Sequence, residues 1–306
     1  MDERACGAHL VAAREGAGLS NGTPVRMPRA GTVAVPRPAW QWPGGLKAGY
    51  ASEPGAGHRC NEDCCSHAPS AERPAFCGVA DGVGGGAHGE IASSVLLRHC
   101  AHASREIYRD PAKLSQWVTG ADGEVRDAIA RRTDQPGAAT LAAAWFPTQR
   151  IAHVVNVGDC RVYRLMPRAQ RYAIERLTVD QTYANLSQTP PPAGRPEDPA
   201  RMVGAGAVGD PPVLKTQLRE RDVLLLCSDG VHKFVPDEQI AQVVSAGFTE
   251  GRSLEAICGA LVRAAKANGS RDDASALLVL RRPWLASRRA GACVAIALVL
   301  IWWLLW

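Results

Sequence analysis

The first 22 residues, Met1 to Gly22, contain no apolar stretch of the kind that opens a secretory signal. The expectation is therefore a reduced, cytosolic setting. The ten cysteines do not form an extracellular framework of regular spacings. They are scattered, and Cys77 and Cys227 sit inside apolar runs, where a reduced thiol packs as a small hydrophobe. Cys60, Cys64 and Cys65 crowd together, but no second Cys or His pair stands at finger-like spacing, which argues against zinc. A regulatory thiol at that place stays open. Aromatic residues are few, at 6%, and the net charge is only +5, with Arg281, Arg282, Arg288 and Arg289 gathered near the C-terminus. The chain thus lacks the dense basic, aromatic-interleaved groove of a nucleic-acid partner, and a phosphodiesterase acting on nucleic acid is disfavoured with it. No internal repeat is visible.

What is present suffices for a core: 46% of the 306 residues are hydrophobic, enough for one large domain or two small ones. Residues 1–42, rich in Gly, Ala, Pro and Arg, read as a flexible lead-in. From there to Arg281 short apolar runs alternate with helix-like periodicity. Strands are expected at Leu46–Ala51, Ala75–Ala80, Thr140–Phe146, Ile151–Val157, Arg161–Leu165, Tyr172–Leu177, Val223–Cys227 and Ser275–Leu280. Helices are expected at Gly89–Arg105, Asp122–Arg132, Asp237–Ser245 and Leu254–Asn268, and the proline-rich Tyr183–Pro212 as an irregular excursion. Asn156–Arg161 reads as a tight hairpin turn. This mixed order favours sheets built from hairpins with helices packed outside over a doubly wound sheet.

Four of the apolar runs meet an aspartate beside glycine or another aspartate: Asp81-Gly82, Gly158-Asp159, Asp229-Gly230 and Asp272-Asp273. Carboxylates at the mouths of buried strands are costly unless something positive pairs them. A cluster around divalent cations answers that cost. A further acidic site, Asn61-Glu62-Asp63, precedes the four.

Taken in order, these sites resemble the motifs of the metal-dependent protein phosphatases, the PP2C-like serine/threonine phosphatases of bacterial type. The resemblance spans about residues 46–281. It rests on Asn61-Glu62-Asp63, Asp81-Gly82-Val83-Gly84-Gly85, Gly137-Ala138-Ala139-Thr140, Val157-Gly158-Asp159, Thr178-Val179-Asp180, Ser228-Asp229-Gly230 and Arg271-Asp272-Asp273. It implies an α+β fold, a four-layer αββα sandwich of two antiparallel sheets flanked by helix pairs, with a metal cleft at one end. It also implies two Mn²⁺ or Mg²⁺ ions, hard cations that favour carboxylate, carbonyl and water ligands. Asp81 would bridge them, with Glu62 and the Gly82 carbonyl on one ion and Asp229 and Asp272 on the other. Asp63 would position water, Arg59 would bind phosphate, and Asp159 would belong to a third ion. Hydroxide held by two metals then attacks phosphorus with no covalent phosphoenzyme, and the chain accordingly has no Cys-x5-Arg loop.

The chain departs from that pattern in several places. Lys233 stands where an acid often assists the third ion, so that ion is in doubt. Val83 replaces a histidine proposed as general acid in some relatives, and Asp273 replaces the commoner asparagine. Arg161 reads as a structural arginine at the hairpin, and His88 as a solvated residue at a helix start. A phosphatase-like module that binds phosphoproteins without turnover is the alternative from another class. The expected partners are phosphorylated proteins, a serine/threonine kinase or its targets, and a membrane. The membrane enters through residues 290–306, an uninterrupted apolar run behind the basic linker 282–289. It is about 25 Å long at roughly 1.5 Å per residue, the short end of a spanning segment. Arg288 and Arg289 upstream and tryptophans at the far end place the domain, 43–281, on the cytoplasmic side of a single-pass anchor.

Overall fold

A computed structural model describes residues 45–58, 60–68, 75–83, 88–169 and 171–283. Arg59, the lead-in 1–42 and the apolar run 290–306 lie outside the described residues. Among the described residues no helix is long and apolar enough to cross a membrane.

Two five-stranded antiparallel sheets face each other. One sheet joins β1 (Leu46–Glu53), β10 (Ala274–Arg281), β9 (Val223–Cys227), β6 (Arg161–Pro167) and β7 (Tyr172–Arg176) in that order. The other joins β2 (Cys64–Ala68), β3 (Ala75–Val83), β4 (Ala138–Thr148), β5 (Ile151–Val157) and β8 (Val213–Gln217). Helices α1 (Gly89–Ala101), α2 (Arg105–Arg109) and α3 (Pro111–Ala130) cover the second sheet, while α5 (Asp237–Thr249) and α6 (Leu254–Ala267) cover the first. The single turn α4 (Asp229–His232) follows β9.

The strand sequences explain the layering. Every residue of Val223–Cys227 is buried, as a continuous apolar run with both faces covered requires. Leu224 and Leu226 enter the core between the sheets, while Val223, Leu225 and Cys227 enter the core under α5 and α6. On β3, Cys77 and Val79 face the inter-sheet core and Phe76 and Ala80 face α1, the period-2 alternation of a strand. Trp145 is fully buried on the helix side, its ring 5.1 Å from Phe76, and its indole N–H reaches the Cys100 carbonyl at 3.2 Å. Asp110 caps α3 by accepting from the Ala112 N–H at 2.9 Å, with Pro111 at the first helical position, where proline's missing donor costs nothing.

Two expectations need correction. Asn156–Arg161 is not a hairpin turn: β5 pairs with β4 and β8, whereas β6 pairs with β7 and β9 in the other sheet. The segment is a corner where the chain changes sheets, and Arg161 therefore orients that corner. The first helix also ends at Ala101 rather than Arg105, and α3 begins at Pro111 rather than Asp122. Strands β2 and β8 and the turn α4 escape the sequence pattern altogether.

Candidate metal centre

Antiparallel pairing brings the acidic motifs to one end of the sandwich. The N-terminal end of β2 lies beside the C-terminal end of β3, with Cys64 opposite Ala80. In the facing sheet the N-terminal end of β10 lies between the C-terminal ends of β9 and β1, with Ala276 opposite Cys227 and Ala274 opposite Glu53. Asp81 continues the inward-facing row Cys77, Val79, so its carboxylate emerges where that row leaves the core. Asp63, Asp229, Asp159 and Asp272 all act electrostatically on Asp81. Glu62 meets this group through Asp272, with Asp273 and Glu90 closer about it, and a Cβ on Gly89 that would touch Glu62 Oε2 would also lie 3.1 Å from the Gly82 carbonyl carbon.

Their charges are held under protest. Burial, with the neighbouring carboxylates behind it, pushes Asp81 well above the ordinary carboxylate range. Asp63 is pushed up to about 8, first by burial, against the opposing hydrogen bond from the Ser228 hydroxyl. Asp159 rises to about 6 through burial and Asp229, with Lys233 pulling it down. Glu62 and Asp272 are raised too, burial leading in both. Of these acids only Asp229 is lowered: burial works against its charge, but the Lys233 ammonium more than offsets it, with His232 adding to the effect. Among the described residues, Asp63 Oδ1 and Asp229 Oδ1 are buried with no hydrogen-bond partner. Unpartnered buried carboxylate oxygens are uncommon and costly. Oxygens of this kind, clustered with carboxylates that resist ionisation, are a donor set suited to a hard divalent cation. No three His, Cys, Asp or Glu side chains among the described residues already stand as a finished ligand cluster, and Asp229 Oδ2 lies 2.7 Å from the Lys233 ammonium.

The glycines fit tightly. A Cβ on Gly82 would sit 2.5 Å from the Gly89 carbonyl carbon, and one on Gly89 would sit 2.5 Å from Glu62 Oε2. Close approach of β3 to the start of α1 requires both to lack side chains.

Several residues that the sequence offers only as parts of motifs, with no role of their own, support the acids. Asp273 accepts from the Gly55 and Glu62 backbone N–H groups, each at 2.6 Å, and lies 3.0 Å from His58 Nδ1. Ser228 Oγ donates to Asp63 Oδ2 at 2.7 Å and accepts from the Ser275 N–H at 3.0 Å. Ser93 on α1 donates to the Glu62 carbonyl at 2.7 Å. Arg161 is structural as expected, gripping Asp180 at 2.8 and 2.6 Å and the Tyr163 hydroxyl at 2.9 Å. The Cys64 and Cys65 thiols are buried, and burial raises both, so neither is poised as a thiolate.

A family model described as stage II sporulation protein E, SpoIIE, matches residues 72–283, well over half of the chain. The chain belongs to the SpoIIE family. Its domain is of the PP2C type, and the protein is an enzyme of that phosphatase class. A relative from Listeria monocytogenes, named serine/threonine phosphatase stp, is 26% identical over 217 residues, covering 66% of this chain and 83% of the relative. The fold is similar to the catalytic domain of the phosphatase PstP, solved in complex with two manganese ions. That likeness has a TM-score of 0.60 and 24% identity, over 78% of this chain and 99% of the other. It is also similar to Stp1 from Staphylococcus aureus, with a TM-score of 0.64 and 20% identity, over 81% of this chain and all of the other, 100%. Two antiparallel sheets with outer helices are common to the family and to this SpoIIE-type domain.

Proposed function

We propose that this SpoIIE-type protein hydrolyses phosphoserine and phosphothreonine in proteins with the help of two divalent cations, Mn²⁺ or Mg²⁺, held between its sheets. The observation that carries the reading is the pair of unpartnered buried oxygens, Asp63 Oδ1 and Asp229 Oδ1, among carboxylates that burial drives toward protonation. Glu62, Asp81 and the Gly82 carbonyl would hold one ion, and Asp81, Asp229 and Asp272 the other. Two such ions supply a water of lowered pKa as nucleophile near neutral pH and neutralise charge on the phosphoryl group.

The chain's own residues supply the positioning. Asp63, fixed by the Ser228 hydroxyl, accepts a hydrogen bond from the attacking water and orients it in line with phosphorus. Asp273 pins the backbone of Glu62, and Ser93 pins its carbonyl, so that this carboxylate needs no reorganisation to meet a cation. Arg59, two residues before Asn61 in sequence, is the proposed phosphate clamp, since guanidinium meets two phosphate oxygens at once.

A catalytic unit at 43–281 would be tethered through 290–306 as a single-pass anchor with the enzyme on the cytoplasmic side. A phosphorylated kinase or its targets at the membrane would be the substrates. The apolar run behind Arg288 and Arg289 supports this. Fractionation of the full chain against a chain ending at Ser287 tests it: only the longer should sediment with membranes. The catalytic proposal is tested by presenting the full chain, with Mn²⁺, to phosphoserine, phosphothreonine and phosphotyrosine peptides. Release of phosphate from the first two supports the reading, and release from phosphotyrosine alone, or from none of the three, would overturn it.

A further inference from the structure

Lys233 closes the turn that begins at Asp229, and its ammonium lies 2.7 Å from Asp229 Oδ2 and 3.1 Å from Asp159 Oδ2. The same turn also holds Asp159 by its backbone: His232 Nε2–H donates to the Asp159 carbonyl at 2.8 Å. Asp159 is almost wholly buried, and its corner is tied further by the Gln181 N–H, which donates to the Gly158 carbonyl at 2.8 Å. A Cβ on Gly158, at φ 87°, would strike Thr140. The turn that carries Asp229 and the corner that carries Asp159 are thus joined through the backbone as well as through Lys233.

We propose that Lys233 is a built-in cation: its ammonium takes the place of a third divalent ion between Asp159 and Asp229, and it holds Asp229 in orientation for the two-ion centre. The inference rests on the two-ion reading. An ammonium donates three N–H groups in a compact point charge, and here two of them serve carboxylates that otherwise repel each other. A divalent ion entering the same space would meet both a repelling charge and a carboxylate oxygen already engaged. The ion-pair geometry is partly dry, with Asp159 buried, so solvent screens it less than a surface pair. Lys233 is a positioning residue: it acts through Asp229 and touches no reacting atom.

The test is a count of bound Mn²⁺ on the metal-free full chain, by calorimetric titration with elemental analysis. The wild type should take up two ions per chain and no third up to roughly 10 mM, beyond the weak end of hard-cation sites. Lys233→Asp should take up a third, with an apparent Kd of roughly a millimolar, and Lys233→Arg should stay at two. A third ion in the wild type, or none gained by a folded Lys233→Asp, overturns the inference while leaving the two-ion reading standing. Failure of the wild type to bind any Mn²⁺ removes the two-ion reading itself, and this inference with it. Thermal unfolding checks that each variant is folded, and should Lys233→Asp fail to fold, Lys233→Asn and the wild-type count of two or three decide.

Discussion

The carboxylate of Asp273 accepts the Glu62 backbone N–H at 2.6 Å, joining residues 211 apart in sequence. Its other oxygen accepts the Gly55 N–H at 2.6 Å, so one side chain fastens the loop after β1, the acidic motif before β2 and the start of β10. Asp273→Ala leaves the buried Gly55 N–H and the part-buried Glu62 N–H without acceptors, at about 1–3 kcal/mol for the buried one and less for the other. Asp273→Asn keeps one acceptor and turns an NH₂ toward the other donor, so it should cost less than alanine but more than nothing. Urea unfolding of the two variants checks the order, and a neutral Asp273→Ala would show that the bonds are dispensable.

The raised carboxylates set the pH dependence of the metal-free protein. Asp63, pushed up to about 8, and Asp159, up to about 6, have folded values above their unfolded ones. Their contribution is complete at pH near 4 and is lost as pH rises through those values. Asp229, lowered, works in the opposite direction but only as pH falls below the ordinary carboxylate range. Between pH 5 and pH 8 the metal-free chain should therefore lose roughly 5–10 °C of melting temperature. Saturating Mn²⁺ should abolish that fall, because cations favour the deprotonated ligands. A melting temperature that is flat or rising with pH in the absence of metal would contradict the burial argument.

Gly89 opens α1, a place where alanine would ordinarily favour the helix. A methyl group there would meet Glu62 Oε2 and push that carboxylate aside. Gly89→Ala should therefore weaken Mn²⁺ binding about tenfold to a hundredfold, the usual cost of disturbing a ligand's support. Unchanged Mn²⁺ affinity would show that Glu62 is not a ligand.

Gly120 and Gly123 lie in the interior of α3, and a Cβ on either would meet nothing within 4 Å. Gly120→Ala and Gly123→Ala should each stabilise the protein by about 0.5–1 kcal/mol, with the phosphatase centre untouched. Chemical denaturation measures this directly.

Much of the architecture was legible because buried strands and amphipathic helices write their periods into the chain. Ile151–Val157 and Val223–Cys227 are strands over the expected residues. Cys64–Ala68 was hidden because it is five residues long and follows directly on the polar motif. Val213–Gln217 was hidden because it is an edge strand with exposed Leu214 and Lys215. The hairpin expected at Gly158 failed for a more general reason. Two alternating runs around a glycine turn look alike whether the second strand pairs with the first or crosses to another sheet. The acids were legible as types and spacings, but Asp273 and Ser228 were legible only as neighbours of Asp272 and Asp229 within their motifs. Their roles come from contacts across the fold, Glu62 with Asp273 and Asp63 with Ser228, which no local pattern carries.

Asp81 is the residue on which Asp63, Asp229, Asp159 and Asp272 converge, and the central claim stands or falls with it. The most direct measurement is Mn²⁺-dependent phosphate release from a phosphothreonine peptide by the full chain, compared with Asp81→Asn and with Asp81→Asn/Asp229→Asn. The two-ion account predicts turnover by the wild type only with added Mn²⁺. It also predicts losses of at least about a thousandfold, equivalent to roughly 4 kcal/mol of barrier, in both folded variants. Activity that persists in the double variant, or that needs no divalent ion, would contradict it.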